Sequence, residues 1–192
     1  MNIKLEQTFK IGWNETPPWD LKTPKIDNPP FTIPLHKEKT KHTDYQKLFD
    51  EYVARNNNYC ILYTCGTKYD NRIGTAIVTT SLCQTWRLAD NTNTTTAELY
   101  AILKSLCNCK SLQNTHYIIC TTSDTALKTL TNKFTTEPLV QAILHQHQNI
   151  YNAGKVIKFI HLPNTTGILG NNEVAELARE AARSNEIKHN VY

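Results

Sequence analysis

The chain encodes an α/β domain built on a mixed sheet, and three observations in the sequence predict it. From Tyr59 onward, short apolar runs alternate with segments of helical period. The first three runs are joined by short connections, as in an antiparallel meander, whereas the last two are separated by helices, as parallel strands require. The predicted order is βββαβααβα, a mixed five-stranded sheet of three antiparallel strands followed by two parallel ones, with flanking helices.

The elements follow in order. YCILYT reads as a buried strand; a turn at KYDNR leads into IGTAIVTT, and QTWRLA is the third strand, placed at the sheet edge. Residues 94–107 repeat Leu99, Ile102, Leu103 and Leu106 on one helical face, with Thr94, Thr95 or Thr96 as the cap. HYIIC is a strand that hands over to a helix capped by Ser123, with Ala126, Leu127 and Leu130 on one side. Pro138 suits the first turn of a helix whose stripe runs through Leu139, Ile143 and Ile150, and Gly154 closes it. KVIKFIHLP is the last strand, and after the loop NTTGILGNN a final helix carries Val174, Leu177, Ala178 and Ala181 on one face.

Residues 1–58 have a different character. Six of the eight prolines lie between Pro17 and Pro34, a density that removes backbone donors too often for a helix or a central strand, so the stretch reads as an extended connector. A short helix at about 43–54, capped by Thr43 or Asp44, uses Tyr45, Leu48, Phe49, Tyr52 and Val53 to deliver the chain to the domain at 59–184. Residues 185–192 form a tail.

The 192 residues carry 21 basic and 17 acidic side chains, and the net charge of +4 is spread without a basic tail or arginine stripe, so composition names no partner. No apolar run approaches the ~20 residues a bilayer requires, and the N-terminus lacks the uninterrupted apolar stretch of a signal peptide; the expectation is an intracellular protein, cytoplasmic or nuclear, neither secreted nor in a membrane. In that setting the six cysteines are expected as thiols. Cys107 and Cys109 point about 200° apart on a helix, poor geometry for shared ligation, and His145 and His147 diverge in the same way and are expected to face solvent. His161, at a strand end, is open to either reading.

Four phrases stand in a telling order: Tyr63-Thr64-Cys65-Gly66-Thr67 ending the first strand; Thr96-Ala97-Glu98-Leu99 in the first domain helix; Thr121-Thr122-Ser123 with Ala126-Leu127; and Leu162-Pro163-Asn164-Thr165-Thr166-Gly167-Ile168-Leu169-Gly170-Asn171-Asn172 entering the last helix. Together, across about residues 59–183, they resemble the type 1 ribonuclease H domain at the C-terminal end of insect-type non-LTR retrotransposon polyproteins. The connector, with Pro17-Pro18-Trp19 and QKLFDEYV, is similar to the segment joining reverse transcriptase to ribonuclease H in those polyproteins. The resemblance implies a ribonuclease H-like fold and descent from such an element, as a standalone reading frame without the polymerase.

It also implies a chemistry. Family members hold two magnesium ions with four carboxylates to cut the RNA strand of an RNA–DNA hybrid. Mapped onto this chain, those positions are Cys65, Glu98, Thr122 and Ala175, and the family's mobile histidine is Thr165, so only Glu98 is retained. A shift of one residue in the last helix instead places Glu176 in the ligand role, turned about 100° around the axis. Each lost carboxylate removes on the order of a few kcal/mol of attraction for a cation at an effective dielectric near 20. A thiol at 65 is too soft, and a hydroxyl at 122 too neutral, to compensate.

The expectation is therefore a ribonuclease H-like domain without nuclease activity and with no cofactor, keeping residual binding of RNA–DNA hybrid or another nucleic acid. The rival is an active Mg2+- or Mn2+-dependent hybrid nuclease using Glu98 with Asp124 and Glu176. A protein-docking module acting through its connector, or a relic without selected function, is also compatible with the sequence. Asp124 otherwise reads as an acid favoured at a helix start, and Asp70 as a turn residue. Trp86 and Arg87 on the third strand are candidates for stacking on, or pairing with, a nucleic-acid backbone.

Overall fold

The computed structural model describes residues 16–29, 42–163 and 167–187. A six-stranded mixed sheet has the order β1-β6-β5-β2-β3-β4. The strands are β1 (Lys25–Asp27), β2 (Cys60–Tyr69), β3 (Arg72–Val78), β4 (Cys83–Leu88), β5 (His116–Thr121) and β6 (Val156–His161). The helices are α1 (His42–Arg55), α2 (Thr94–Ser111), α3 (Asp124–Thr129), α4 (Pro138–Asn152) and α5 (Leu169–Arg183). β2, β3 and β4 form the antiparallel meander with β4 at the edge, and β5 and β6 extend the sheet in parallel from β2. This mixed α/β architecture is compatible with a ribonuclease H-like fold.

The expected five strands become six. The extra strand, β1, comes from the proline-rich segment and pairs in parallel with β6 at Lys25↔Lys158, Ile26↔Phe159 and Asp27↔Ile160. Proline excludes central strands because it cannot donate to a ladder, but a three-residue edge strand between Pro24 and Pro29 escapes that rule. Before it, Pro18–Asp20 makes one 3-10 turn, and Leu21 enters the main core.

Alternation along β5 sets the two faces of the sheet. Tyr117 and Ile119 meet α2, α3 and α4 through Ile102, Leu106, Leu127 and Ile143, whereas Ile118 and Cys120 meet Phe49 of α1 with Ile160, Leu162 and Ile168. α5 covers the meander on the second face, placing Val174 and Ala178 against Cys65, Ala76 and Val78. β2 and β3 join through Asp70 and Asn71, with φ of 46° and 63°; two left-handed residues in succession match the right-handed twist of a hairpin.

Several local expectations need correction; α1 begins at His42, so Thr43 and Asp44 lie within its first turn and do not cap it. The cap of α2 is Asn93, whose side chain accepts from the Thr96 N–H at 2.7 Å, rather than one of the threonines. The buried stripe of α4 runs through Val140, Ile143, Leu144, His147 and Ile150, so His147 faces the core instead of solvent. Its ring lies 6.1 Å from that of Phe159.

Candidate functional site

The C-terminal ends of β2 and β5 meet the first turns of α2, and the residues of three of the four phrases converge there. Gly66 makes the approach possible: a Cβ at this position would lie 2.5 Å from the Glu98 nitrogen and 2.7 Å from the Ala97 Cβ. Thr75 on β3 secures the junction, its hydroxyl donating to the carbonyls of Cys65 at 2.9 Å and Ala97 at 3.1 Å. Parallel pairing sets Thr64 opposite Thr121, bringing Thr122 alongside Cys65.

Glu98 is the centre of this junction and is only 3% exposed. Thr121 donates its hydroxyl to one carboxylate oxygen at 2.9 Å, and Thr122 donates to the other at 2.8 Å. Burial pushes the Glu98 pKa up to about 7, against the opposing hydrogen bonds of the Gly66 backbone, Thr122 and Thr121. The carboxyl is thus poised between neutral and ionised near neutral pH. Burial likewise pushes the Cys65 thiol up to about 12; Glu98 adds to this effect, and Arg179 and Thr122 oppose it. Cys65 is therefore a neutral thiol, unsuited to act as a thiolate ligand or nucleophile.

The last helix contributes no charge to the cluster from position 175. Ala175 packs on the apolar group that contains Cys65. Its neighbour Glu176 is half-exposed and bonded to Arg179, with Arg183 at 3.8 Å. Asp124 lines the open side of the site but is exposed and pairs with Lys128 at 2.5 Å. Thr165 lies outside the described residues.

In front of Glu98 opens a cleft of about 380 Å³, lined mainly by hydroxyls, among them Thr67, Thr94, Thr122 and Ser123, with Lys68 as its cation. The site therefore presents the buried Glu98 carboxyl, a thiol, hydroxyls and a methyl, with the Asp124 carboxylate at its open edge paired to Lys128. This donor set does not fit a pair of magnesium ions, which demand several oxygen anions to offset their charge. Among the described residues, no three His, Cys, Asp or Glu side chains form a group able to hold a metal ion.

Of the other candidates, only His161 lies near this junction. Trp86 packs edge-on against Tyr100, with ring centroids 5.8 Å apart. Arg87 is 4% exposed and bonds to the Leu88 carbonyl and to Asp90, so the fold itself engages both side chains. Asp70 is in the hairpin turn. Cys107 is exposed and Cys109 buried, on opposite sides of α2. His161 lies beside the site, its Nε2 3.2 Å from the Thr122 carbonyl oxygen. His145 is partly buried on α4. Thr121 stands first in the Thr121-Thr122-Ser123 phrase, but the sequence assigns it no role: nothing in its spacing distinguishes a strand-end threonine that donates to Glu98 from one that packs.

No protein-family model matches the chain, and no curated protein matches it. No helix among the described residues is long and apolar enough to cross a membrane.

Proposed function

We propose that this chain is a retroelement-derived ribonuclease H-like domain in which a buried, hydrogen-bonded cluster stands where its relatives hold two metal ions. In this reading it does not cleave RNA–DNA hybrids and retains only hybrid binding, through the hydroxyl-lined cleft and Lys68. The observation that carries the proposal is the state of Glu98: the one retained acid is buried, and both its oxygens accept hydrogen bonds from threonines. The two acids that could stand in for the missing ones, Asp124 and Glu176, are paired with Lys128 and with Arg179 and Arg183. An intracellular location belongs to the same proposal, and in that setting the six cysteines are expected as thiols.

The test is incubation of the purified chain with a labelled RNA–DNA hybrid in magnesium and then in manganese. The expected result is binding without cleavage in either metal. Cleavage by the native chain that Glu98→Gln abolishes would establish an active, metal-dependent nuclease instead. The triple variant Cys65→Asp, Thr122→Asp, Ala175→Asp checks the mapping: acquired metal-dependent cleavage supports it, and a folded variant that neither binds metal nor cuts would refute it.

A further inference from the structure

The segment 16–29 contacts the domain in an unusual way: side chains of the domain bind its backbone. The Lys133 ammonium donates to the carbonyls of Trp19 at 3.3 Å and Leu21 at 3.0 Å. The Gln148 carbonyl oxygen accepts the Lys22 N–H at 2.6 Å, while the other end of its amide donates to Asn152 at 2.8 Å and so fixes its orientation. β6 supplies a ladder to residues 25–27. Three side chains give the segment its sequence-specific part. Leu21 is 4% exposed within the main core, and Ile26 packs against the same cluster. The Asp27 carboxylate accepts from the Tyr52 hydroxyl at 3.0 Å and faces the Lys158 ammonium at 3.5 Å.

An apolar anchor, backbone hydrogen bonds from groove side chains, strand addition at a sheet edge and a charged terminal contact are the parts of a peptide-recognition groove. The attachment is also small. Its buried residues are Leu21, Pro24 and Pro29, only residues 25–27 pair with the sheet, and Trp19 is left 67% exposed. The segment sits at the edge of the sheet, and the β6–β5 and β5–β2 ladders do not run through it.

We propose that the edge of β6, with Lys133, Gln148, Tyr52 and Lys158, is a peptide-binding groove that this chain fills with its own residues 16–29. The ligand it takes is an extended, proline-bounded peptide carrying a leucine, with isoleucine and aspartate five and six residues further on. The groove is independent of the ribonuclease H reading and lies apart from Glu98.

The experiment uses the full chain. Leu21→Asp with Ile26→Asp empties the groove, and a fluorescent peptide of residues 16–29 is titrated against this variant and against the native chain. The expected result is saturable binding to the emptied variant, at least tenfold tighter than to the native chain, whose own segment competes, and weakened at least fivefold by adding Lys133→Ala and Gln148→Ala. A folded variant that gives no saturable binding, or equal binding to both chains, would overturn the proposal. If the variant does not fold, hydrogen exchange of the native chain decides: amides of Lys22 and Ile26 exchanging at least 100-fold faster than those of Ile119 and Phe159 support a segment that detaches on its own, and equal rates refute it.

Discussion

Glu98 and His147 are both buried ionisable side chains on helices facing the same side of the sheet, and the fold treats them differently. Glu98 is met by the hydroxyls of Thr121 and Thr122 and by the Gly66 backbone. His147 sits against Phe159, and its Nδ1 has no hydrogen-bond partner. Burial drives each toward its neutral form, raising Glu98 from 4.5 to about 7 and lowering His147 from 6.5 to about 4, the latter against a hydrogen bond to the Lys22 backbone. The lesson is that a polar environment does not by itself keep a charge: three hydrogen bonds to Glu98 do not outweigh its desolvation.

The comparison can be broken from either side. The Glu98 contribution is fully present below pH 4.5 and is lost as pH rises through about 7, because the folded state resists ionisation that the unfolded chain accepts. Between pH 4 and pH 8, denaturant titrations should therefore move the stability difference by about 3 kcal/mol in favour of Glu98→Gln over the native chain. His147 has the opposite sign: its contribution is present above pH 6.5 and is lost as pH falls through about 4. The difference between His147→Leu and the native chain should move by slightly less, again about 3 kcal/mol, in favour of the variant on acidification from pH 7.5 to pH 4. A pH-independent difference in either variant would mean that the residue is solvated in solution.

Smaller changes sharpen the picture. Thr121→Val removes one donor to Glu98 and should cost about 1 kcal/mol, more at pH 8 than at pH 5, while moving the Glu98 midpoint further up; carboxyl carbon NMR would follow it. At the β2–β3 hairpin, remote from both groups, Asn71→Gly should stabilise by about 0.5 kcal/mol in thermal melts, because φ of 63° costs glycine nothing.

Much of this is legible in the sequence because periodicity reports burial directly. Leu99, Ile102, Leu103 and Leu106 face the core as their spacing predicts, and Ser123 caps α3 by accepting from Ala126 at 3.0 Å. Three residues between prolines have no readable period, so β1 is not legible; its pairing depends on an edge more than a hundred residues away. His147 escapes through phase. A stripe started at Leu139 leaves it outside, whereas Val140 plus seven places it in the core. At the candidate site the phrases locate Glu98, Cys65 and Thr122, but not the hydrogen bonds that tie the carboxyl to both threonines, which depend on how closely Gly66 lets α2 approach.

The central claim is that the Glu98 cluster is a buried hydrogen-bonded junction and not a cation site. Manganese titration followed by paramagnetic broadening of backbone amides tests it most directly. The account predicts no saturable broadening centred on Gly66, Glu98 and Thr122. Saturable broadening there that Glu98→Gln removes would contradict it.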